Sequence, residues 1–253
     1  MQDPAGLALA QSYTYDANDN VISHTDANGA RTLMVYDAAN RLLYTVDALG
    51  QVQEQSYDDA GRLTLTRTYA TALDVAALGA APTRAQVAAL LRTSASDALL
   101  YRVYDTNNRL RGTVNALGEF TEWTYDANGN VLQQRAYANR IALSAWTQGS
   151  MPSIAQSAAD QVTQNVYDAA NRLAYSVNPL GAASSYAYDG VGNLLRRVDM
   201  LTPVAAGTPA TATDLAAAIA NAVTNAIGVR VPEWPMTPRN VLNALATASK
   251  EGK

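Results

Sequence analysis

A Tyr-Asp pair recurs seven times in this chain, at Tyr15, Tyr36, Tyr57, Tyr104, Tyr125, Tyr167 and Tyr188. Successive pairs lie 21, 21, 47, 21, 42 and 21 residues apart. The two long gaps are one period plus an insertion. A fixed period of this size marks a repeat architecture, in which each copy packs on its neighbours. Seven of the fourteen tyrosines occupy the repeat position, so chance is a poor explanation.

With Tyr36 as position 0, the unit runs Tyr36-Asp37-Ala38-Ala39-Asn40-Arg41-Leu42-Leu43-Tyr44-Thr45-Val46. Position +1 is Asp in every copy: Asp16, Asp37, Asp58, Asp105, Asp126, Asp168 and Asp189. Its carboxylate can accept backbone N–H groups across a turn. Position +4 is Asp19, Asn40, Gly61, Asn108, Gly129, Asn171 or Gly192. These residue types best tolerate a left-handed backbone. Positions +1 to +4 therefore read as a tight turn. Position +6 is always Leu or Val, and +6, +8 and +10 share one face of a strand, as in Leu42, Tyr44 and Val46. Alternate residues, such as Thr64 and Thr66, are more polar. That is the period-2 pattern of a strand with one buried face.

Four units carry a second turn that opens with Asp or Asn and closes with Gly: Asp26–Gly29, Asp47–Gly50, Asn115–Gly118 and Asn178–Gly181. A second strand then leads to the next Tyr-Asp pair, so each unit is two strands and two turns. Strands lie about 4.8 Å apart, so tyrosines two strands apart are too distant to stack, and the strand between them must supply side chains. Three units lack the Gly turn, those at Tyr57, Tyr125 and Tyr188. They run on through Arg67-Thr68-Tyr69, Arg135-Ala136-Tyr137 and Arg197-Val198-Asp199 into insertions.

The insertions read as helical. Thr83-Arg84-Ala85-Gln86 is a capping box after Pro82, with Val87, Leu90 and Leu91 on one face. Ile154 to Asp160 is expected to hold one or two helical turns. Asp214 to Ile227 is Ala-rich, with Leu215, Ile219 and Val223 four apart and Gly228 as a stop. Thr237 and Pro238 open a last helix with Val241, Leu242 and Leu245 on its apolar face.

Composition removes several classes of function. The net charge is −4 and the basic residues are dispersed, which argues against a nucleic-acid partner. Cysteine is absent, so disulfides and thiolate metal sites are excluded. No run of about 18 apolar residues is present, so no membrane span is expected. The N-terminus lacks a basic stretch followed by an apolar core, so no signal peptide is read. His24 is the only histidine and reads as a strand residue. Asp58-Asp59 is an adjacent carboxylate pair, but both belong to the repeat turn. Asp16-x-Asn18-x-Asn20 has the odd spacing of a calcium loop without its Gly and distal Glu. The tyrosines with Trp123, Trp146 and Trp234 are candidates for stacking on sugars, though strand aromatics are more often core. No catalytic, cofactor-binding or metal-ligating residues are assigned.

Tyr-Asp followed by Ala-x-Gly/Asn-Arg/Asn-Leu/Val at this period resembles the RHS, or YD-repeat, family. The clearest copies are Tyr57-Asp58-Asp59-Ala60-Gly61-Arg62-Leu63 and Tyr125-Asp126-Ala127-Asn128-Gly129-Asn130-Val131. The resemblance covers residues 13 to 200. It implies a mainly β chain, a curved antiparallel sheet of about 14 short strands. The Ala-rich helical inserts near 70–98 and 138–160, read from the residues, depart from the family, whose simplest members lack them. A lead-in occupies 1–12 and a helical tail 201–253. Members include bacterial polymorphic toxins, insecticidal toxin complexes and animal teneurins, in which the repeats resemble a hollow shell. The resemblance implies a secreted or cell-surface scaffold, not an enzyme, that forms part of a shell around a toxin or effector domain. Its partners would be further repeats or that enclosed domain. The alternative is an adhesin or carbohydrate-binding module with glycans as ligands. The family's self-cleavage motif, Asp-Pro-x-Gly-Leu, matches Asp3-Pro4-Ala5-Gly6-Leu7, but that stretch precedes the repeats and reads as a turn. Roughly fourteen strands span about 65–70 Å, about one turn of a spiral, so the chain reads as a segment of a longer protein or an open curved sheet.

Overall fold

A computed structural model describes residues 10–199. The helices expected within 201–253, the Asp3–Leu7 stretch and most of the lead-in lie outside the described residues. Fourteen strands form one open antiparallel sheet, and each strand neighbours the next in sequence. They are β1 (Ser12–Tyr15), β2 (Val21–Thr25), β3 (Arg31–Tyr36), β4 (Leu42–Val46), β5 (Val52–Tyr57), β6 (Leu63–Thr68), β7 (Ala98–Tyr104), β8 (Leu110–Asn115), β9 (Phe120–Tyr125), β10 (Val131–Ala136), β11 (Gln161–Tyr167), β12 (Leu173–Val177), β13 (Ala183–Tyr188) and β14 (Leu194–Asp199).

Local turn chemistry sets this order. At Asp37 the carboxylate accepts the amides of Ala39 and Arg41 at 2.8 and 2.9 Å. The Asp37 amide donates to the Arg41 carbonyl, and the Asn40 amide donates back to the Asp37 carbonyl. Asn40 takes a φ of 59°. That is a three-residue hairpin loop, a type I turn followed by a left-handed residue. All seven +4 residues have positive φ, from 58° at Asn171 to 95° at Gly192. The second turns behave alike: Gly29, Gly50, Gly118 and Gly181 lie between 75° and 83°. A loop this short leaves the chain no choice but to pair with its own predecessor.

The chain divides into two compact bodies. The first holds residues 10–104, 113–118 and 142–152 of the described chain. Here Leu33, Val46 and Val52 lie in line across three strands, as do Val35 and Tyr44. All five are buried. The segment after β6 folds over them and adds Tyr69, Leu73, Leu78 and Val87 to the same core. Full burial of an aliphatic side chain such as Val46 or Val52 contributes about 1.5–3 kcal/mol. The opposite face carries Thr45, Gln53 and Thr68 in line. Within the covering segment, Thr83 caps a helix, α1 (Arg84–Leu90), through a capping box with Gln86. Val87 is its buried residue.

The second body holds 105–112, 119–141 and 153–199 of the described chain. Gln133, Gln164, Val177 and Ala183 lie in line across four strands, all buried but the half-buried Gln164, with the buried Val166 and Tyr175 beside them. Gln133 occupies the +8 place filled by Tyr44 and Tyr175 in other units, and its Nε2 is buried without a partner. The helical turns expected over Ile154–Asp160 do not form. Asp160 accepts the Ser157 amide through its side chain at 3.1 Å, which favours a turn over a helix.

The first body supplies a test of the turns. Gly29 and Gly50 share a positive φ, but a Cβ on Gly29 meets open space and one on Gly50 would overlap the Leu73 carbonyl oxygen. Gly29→Ala is expected to cost about 1–2 kcal/mol from its backbone alone, and Gly50→Ala clearly more. Equal urea midpoints for the two variants would contradict this packing.

Candidate functional site

In five of the seven Tyr-Asp pairs the tyrosine reaches back to the unit before it. Its hydroxyl donates to the carbonyl of the preceding +6 residue. In the first body Tyr57 bonds the Leu42 carbonyl at 2.9 Å and Tyr104 the Leu63 carbonyl at 2.9 Å. In the second body Tyr125 bonds Leu110 at 2.6 Å, Tyr167 bonds Val131 at 3.2 Å and Tyr188 bonds Leu173 at 3.0 Å. Tyr15, by contrast, ends the exposed strand β1 at 56% exposure. Burial raises the phenol pKa of Tyr57, Tyr125 and Tyr167, which keeps the donating proton in place.

The side chain at +5 stands between successive tyrosines, one residue before the strand that separates them. Where it is arginine, it does three things. Arg109 donates through Nε to the Asp105 carboxylate at 2.7 Å. It donates through Nη1 to the Asp126 carbonyl of the next unit at 2.9 Å. Its guanidinium lies 4.6 Å from the ring centre of Tyr125. Arg41 on Tyr57 and Arg172 on Tyr188 repeat all three contacts, each at 4.9 Å from the ring. Arg62 pairs with Asp58 and stands 4.9 Å over Tyr104. Planar guanidinium suits this combined stacking and donation. Where +5 is asparagine, the reach is shorter and the next unit's +4 residue is the target. Asn18 and Asn20 both donate to Asn40 Oδ1, and Asn128 and Asn130 to Asn171 Oδ1.

The aspartates hold their charge firmly. The Arg41 amide above all, then the Arg41 side chain and the Ala39 amide, keep Asp37 below the ordinary carboxylate value of 3.8. Asp105 is lowered by the Arg109 amide in the same way. Asp16 is lowered first by the Asn20 side chain. Its oxygens are taken by Asn18 and Asn20, so Asp16-x-Asn18-x-Asn20 is a closed turn. Asp58 is engaged by Arg62, whereas Asp59 is exposed. His24 stacks on Tyr13 with ring centres 4.6 Å apart, and its Nε2 is buried without a partner. Trp146 lies edge-on to Tyr101 at 5.3 Å. Trp123 sits opposite Gln134 on the neighbouring strand. Trp234 lies outside the described residues. Among the described residues, no three His, Asp or Glu side chains gather as metal ligands.

One cluster has no counterpart in the reading of the Tyr-Asp pairs. Tyr69 donates to Glu54 at 2.7 Å while Arg67 pairs with the buried Asp97 at 3.4 Å. Tyr137 donates to Glu122 at 2.7 Å while Arg135 pairs with the buried Asp160 at 2.8 Å. The sequence signal is the +10 residue: Arg in these two units, Val in Val46, Val114 and Val177. Arg197 does not belong with Arg67 and Arg135, because it lies at +9 and Val198 holds the +10 place.

Three stretches, residues 15–46, 36–72 and 104–141, match the family model described as RHS Repeat. The chain carries RHS repeats. No curated protein matches it. Among solved structures, the TcdB2-TccC3 complex is 20% identical over 75% of this chain and 11% of that one, with a TM-score of 0.40. The Photorhabdus luminescens Tc holotoxin pore is 17% identical over 78% of this chain and 12% of that one, with a TM-score of 0.22. The chain thus spans about a tenth of the length of these proteins.

The Tyr-Asp units at Tyr167 and Tyr188 fall outside the matched stretches and still make the same hydroxyl-to-carbonyl bond. Removing one rung separates its parts. Tyr125→Phe loses a single hydrogen bond and is expected to cost about 0.5–1.5 kcal/mol. Arg109→Ala loses a charged pair, a carbonyl bond and a stacked ring, and should cost about 1–3 kcal/mol. Denaturant unfolding of both variants measures this, and an Arg109→Ala variant as stable as its parent would contradict the ladder. The lowered aspartates also set a pH dependence. Their folded pKa values lie below the unfolded 3.8, so their contribution is present above that pH and is lost as pH falls through the folded values. Melting temperature should therefore drop below about pH 4, and less steeply in an Asp37→Asn/Asp105→Asn variant.

Proposed function

We propose that this chain is a non-enzymatic wall segment of a large secreted RHS-repeat protein, and that the wall encloses a toxin or effector domain. The observation that carries the proposal is the use of the repeated chemistry. Within each body, the polar residues of the Tyr-Asp motif are spent on neighbouring units: the Tyr hydroxyl on a carbonyl of the unit before, the arginine on a carbonyl and a ring of the unit after. The aspartate is consumed by its own turn. Groups committed in this way build a wall and leave no poised nucleophile, acid or base among them. The RHS Repeat match supports the same reading, since the family resemblance implies a shell. Further repeats and an enclosed domain are the partners the proposal requires.

Two experiments test it. Sequencing the encoded product beyond Lys253 should show further Tyr-Asp units followed by a dissimilar C-terminal domain, and a product with neither would overturn the proposal. In the purified full-length product, protease should spare that C-terminal domain until the repeats are unfolded. Saturable binding of the 253-residue chain on a glycan array would instead support an adhesin.

A further inference from the structure

Among the described residues the chain leaves the repeat sheet twice, after β6 and after β10, and both departures return to the strand beside the one they left. β6 pairs directly with β7, and β10 with β11. The two excursions share little in content. The first contains α1 and a short 3-10 turn, Val75–Ala77, and buries Leu73, Leu78 and Val87. The second has no helix and a different length.

Their necks are nearly superimposable in chemistry. At the exit, the Tyr69 amide donates to the Val52 carbonyl at 3.0 Å and the Tyr137 amide to the Phe120 carbonyl at 2.9 Å. The two hydroxyls go to Glu54 and Glu122, each the third residue before its Tyr-Asp pair. Arg67 and Arg135 lie 5.5 and 5.7 Å over those rings. At the return, one buried aspartate closes the ring. Asp97 Oδ1 accepts the Ala70 amide and Oδ2 the Ser94 amide, at 3.0 and 3.1 Å. Asp160 Oδ1 accepts the Ala138 amide and Oδ2 the Ser157 amide, also at 3.0 and 3.1 Å. Behind them, Ser94 Oγ accepts the Ser96 amide and Ser157 Oγ the Ala159 amide, both at 3.1 Å. Both carboxylate side chains are 1% exposed. Each aspartate thus ties the first residue beyond the exit to the last turn before the return.

The strand positions agree as well. Ala98 and Gln161 each stand six residues before the next Tyr, as Gln51 does after a four-residue turn. Replacing 68–97 or 136–160 by Asp-Ala-Leu-Gly would restore the 21-residue period in either place. The two necks are therefore the same joint, occupied by different insertions. Where +10 is a buried Val, at Val46, Val114 and Val177, the strand ends in the Asx-Gly turn. Where +10 is Arg, the guanidinium calls for a buried carboxylate, which Asp97 or Asp160 supplies from the far end of the excursion.

We propose that Glu122–Tyr137–Arg135–Asp160, and its first copy Glu54–Tyr69–Arg67–Asp97, form an insertion port: a site that lets the sheet emit a segment and recover its register whatever that segment contains. The port is an accepting site for inserted peptide, so the interior of the second excursion is replaceable while its neck is not.

Hydrogen exchange on the whole 253-residue chain tests this. In one variant residues 141–155 become a Gly/Ser linker of equal length with the neck intact. In another Asp160 becomes Ala. Amides of β10 and β11 that pair across the neck, Gln133–Ala136 with Gln161–Gln164, are the readout. The linker variant should change their exchange by less than about threefold, and Asp160→Ala should speed it by about tenfold or more. Linker exchange as fast as that of Asp160→Ala would overturn the port, and so would unchanged exchange in Asp160→Ala. Should Asp160→Ala fail to fold, Tyr137→Phe removes only the Glu122 bond; it should speed exchange at the same amides, and no change there would overturn the port equally.

Discussion

One carboxylate governs the architecture. The aspartate after each repeat tyrosine accepts two backbone amides inside a three-residue loop, and the loop closes only if its last residue adopts a left-handed backbone. Every such turn forces the strand it follows to pair with the strand it begins. Strand order then follows chain order from end to end. Most strand pairings in a sheet built this way are local, and only β6–β7 and β10–β11 pair across a longer segment. The cost is a strict demand at +4, met here by Asn, Asp and Gly alone.

Within each body, the ladder joins neighbouring units. A hydroxyl donated to a carbonyl is worth little singly, about 0.5–1.5 kcal/mol, and so is a guanidinium over a ring. The arrangement gains because one arginine serves three partners from a single ordered conformation. Its entropy of fixation is spent once for three contacts. The same bonds persist where sequence neighbours are far apart. Tyr104 still finds the Leu63 carbonyl, and Tyr167 the Val131 carbonyl, although an excursion lies between each pair. In the first body the excursion also supplies the cover that the apolar face requires.

Much of this was legible in the residues. The period, the strand count, the left-handed +4 positions and the capping box at Thr83 all rest on local rules, and local rules can be read along a chain. The reading failed where a residue's role depended on a distant partner. Ile154–Asp160 carries apolar residues at helical spacing, but Asp160 is committed to Arg135 and Ala138, and the segment turns instead. Arg67 and Arg135 look like ordinary strand residues until Asp97 and Asp160 are placed beside them. Glu54 and Glu122, at the third position before the Tyr-Asp pair, carried no visible signal because Ser12, Leu33, Tyr101, Gln164 and Ser185 stand there in the other units.

The amino-acid sequence by itself determined the repeating hairpin, its turn geometry and the sequential order of strands. Those properties depend on residues within five positions of one another, where backbone sterics and side-chain reach leave few alternatives. Only the tertiary structure decided which carbonyl each tyrosine meets, which arginine covers which ring, and how a departing segment is returned to register. Those contacts join residues 15 to 41 positions apart, a range over which the chain has many possible partners until the sheet has brought a few of them within hydrogen-bonding distance.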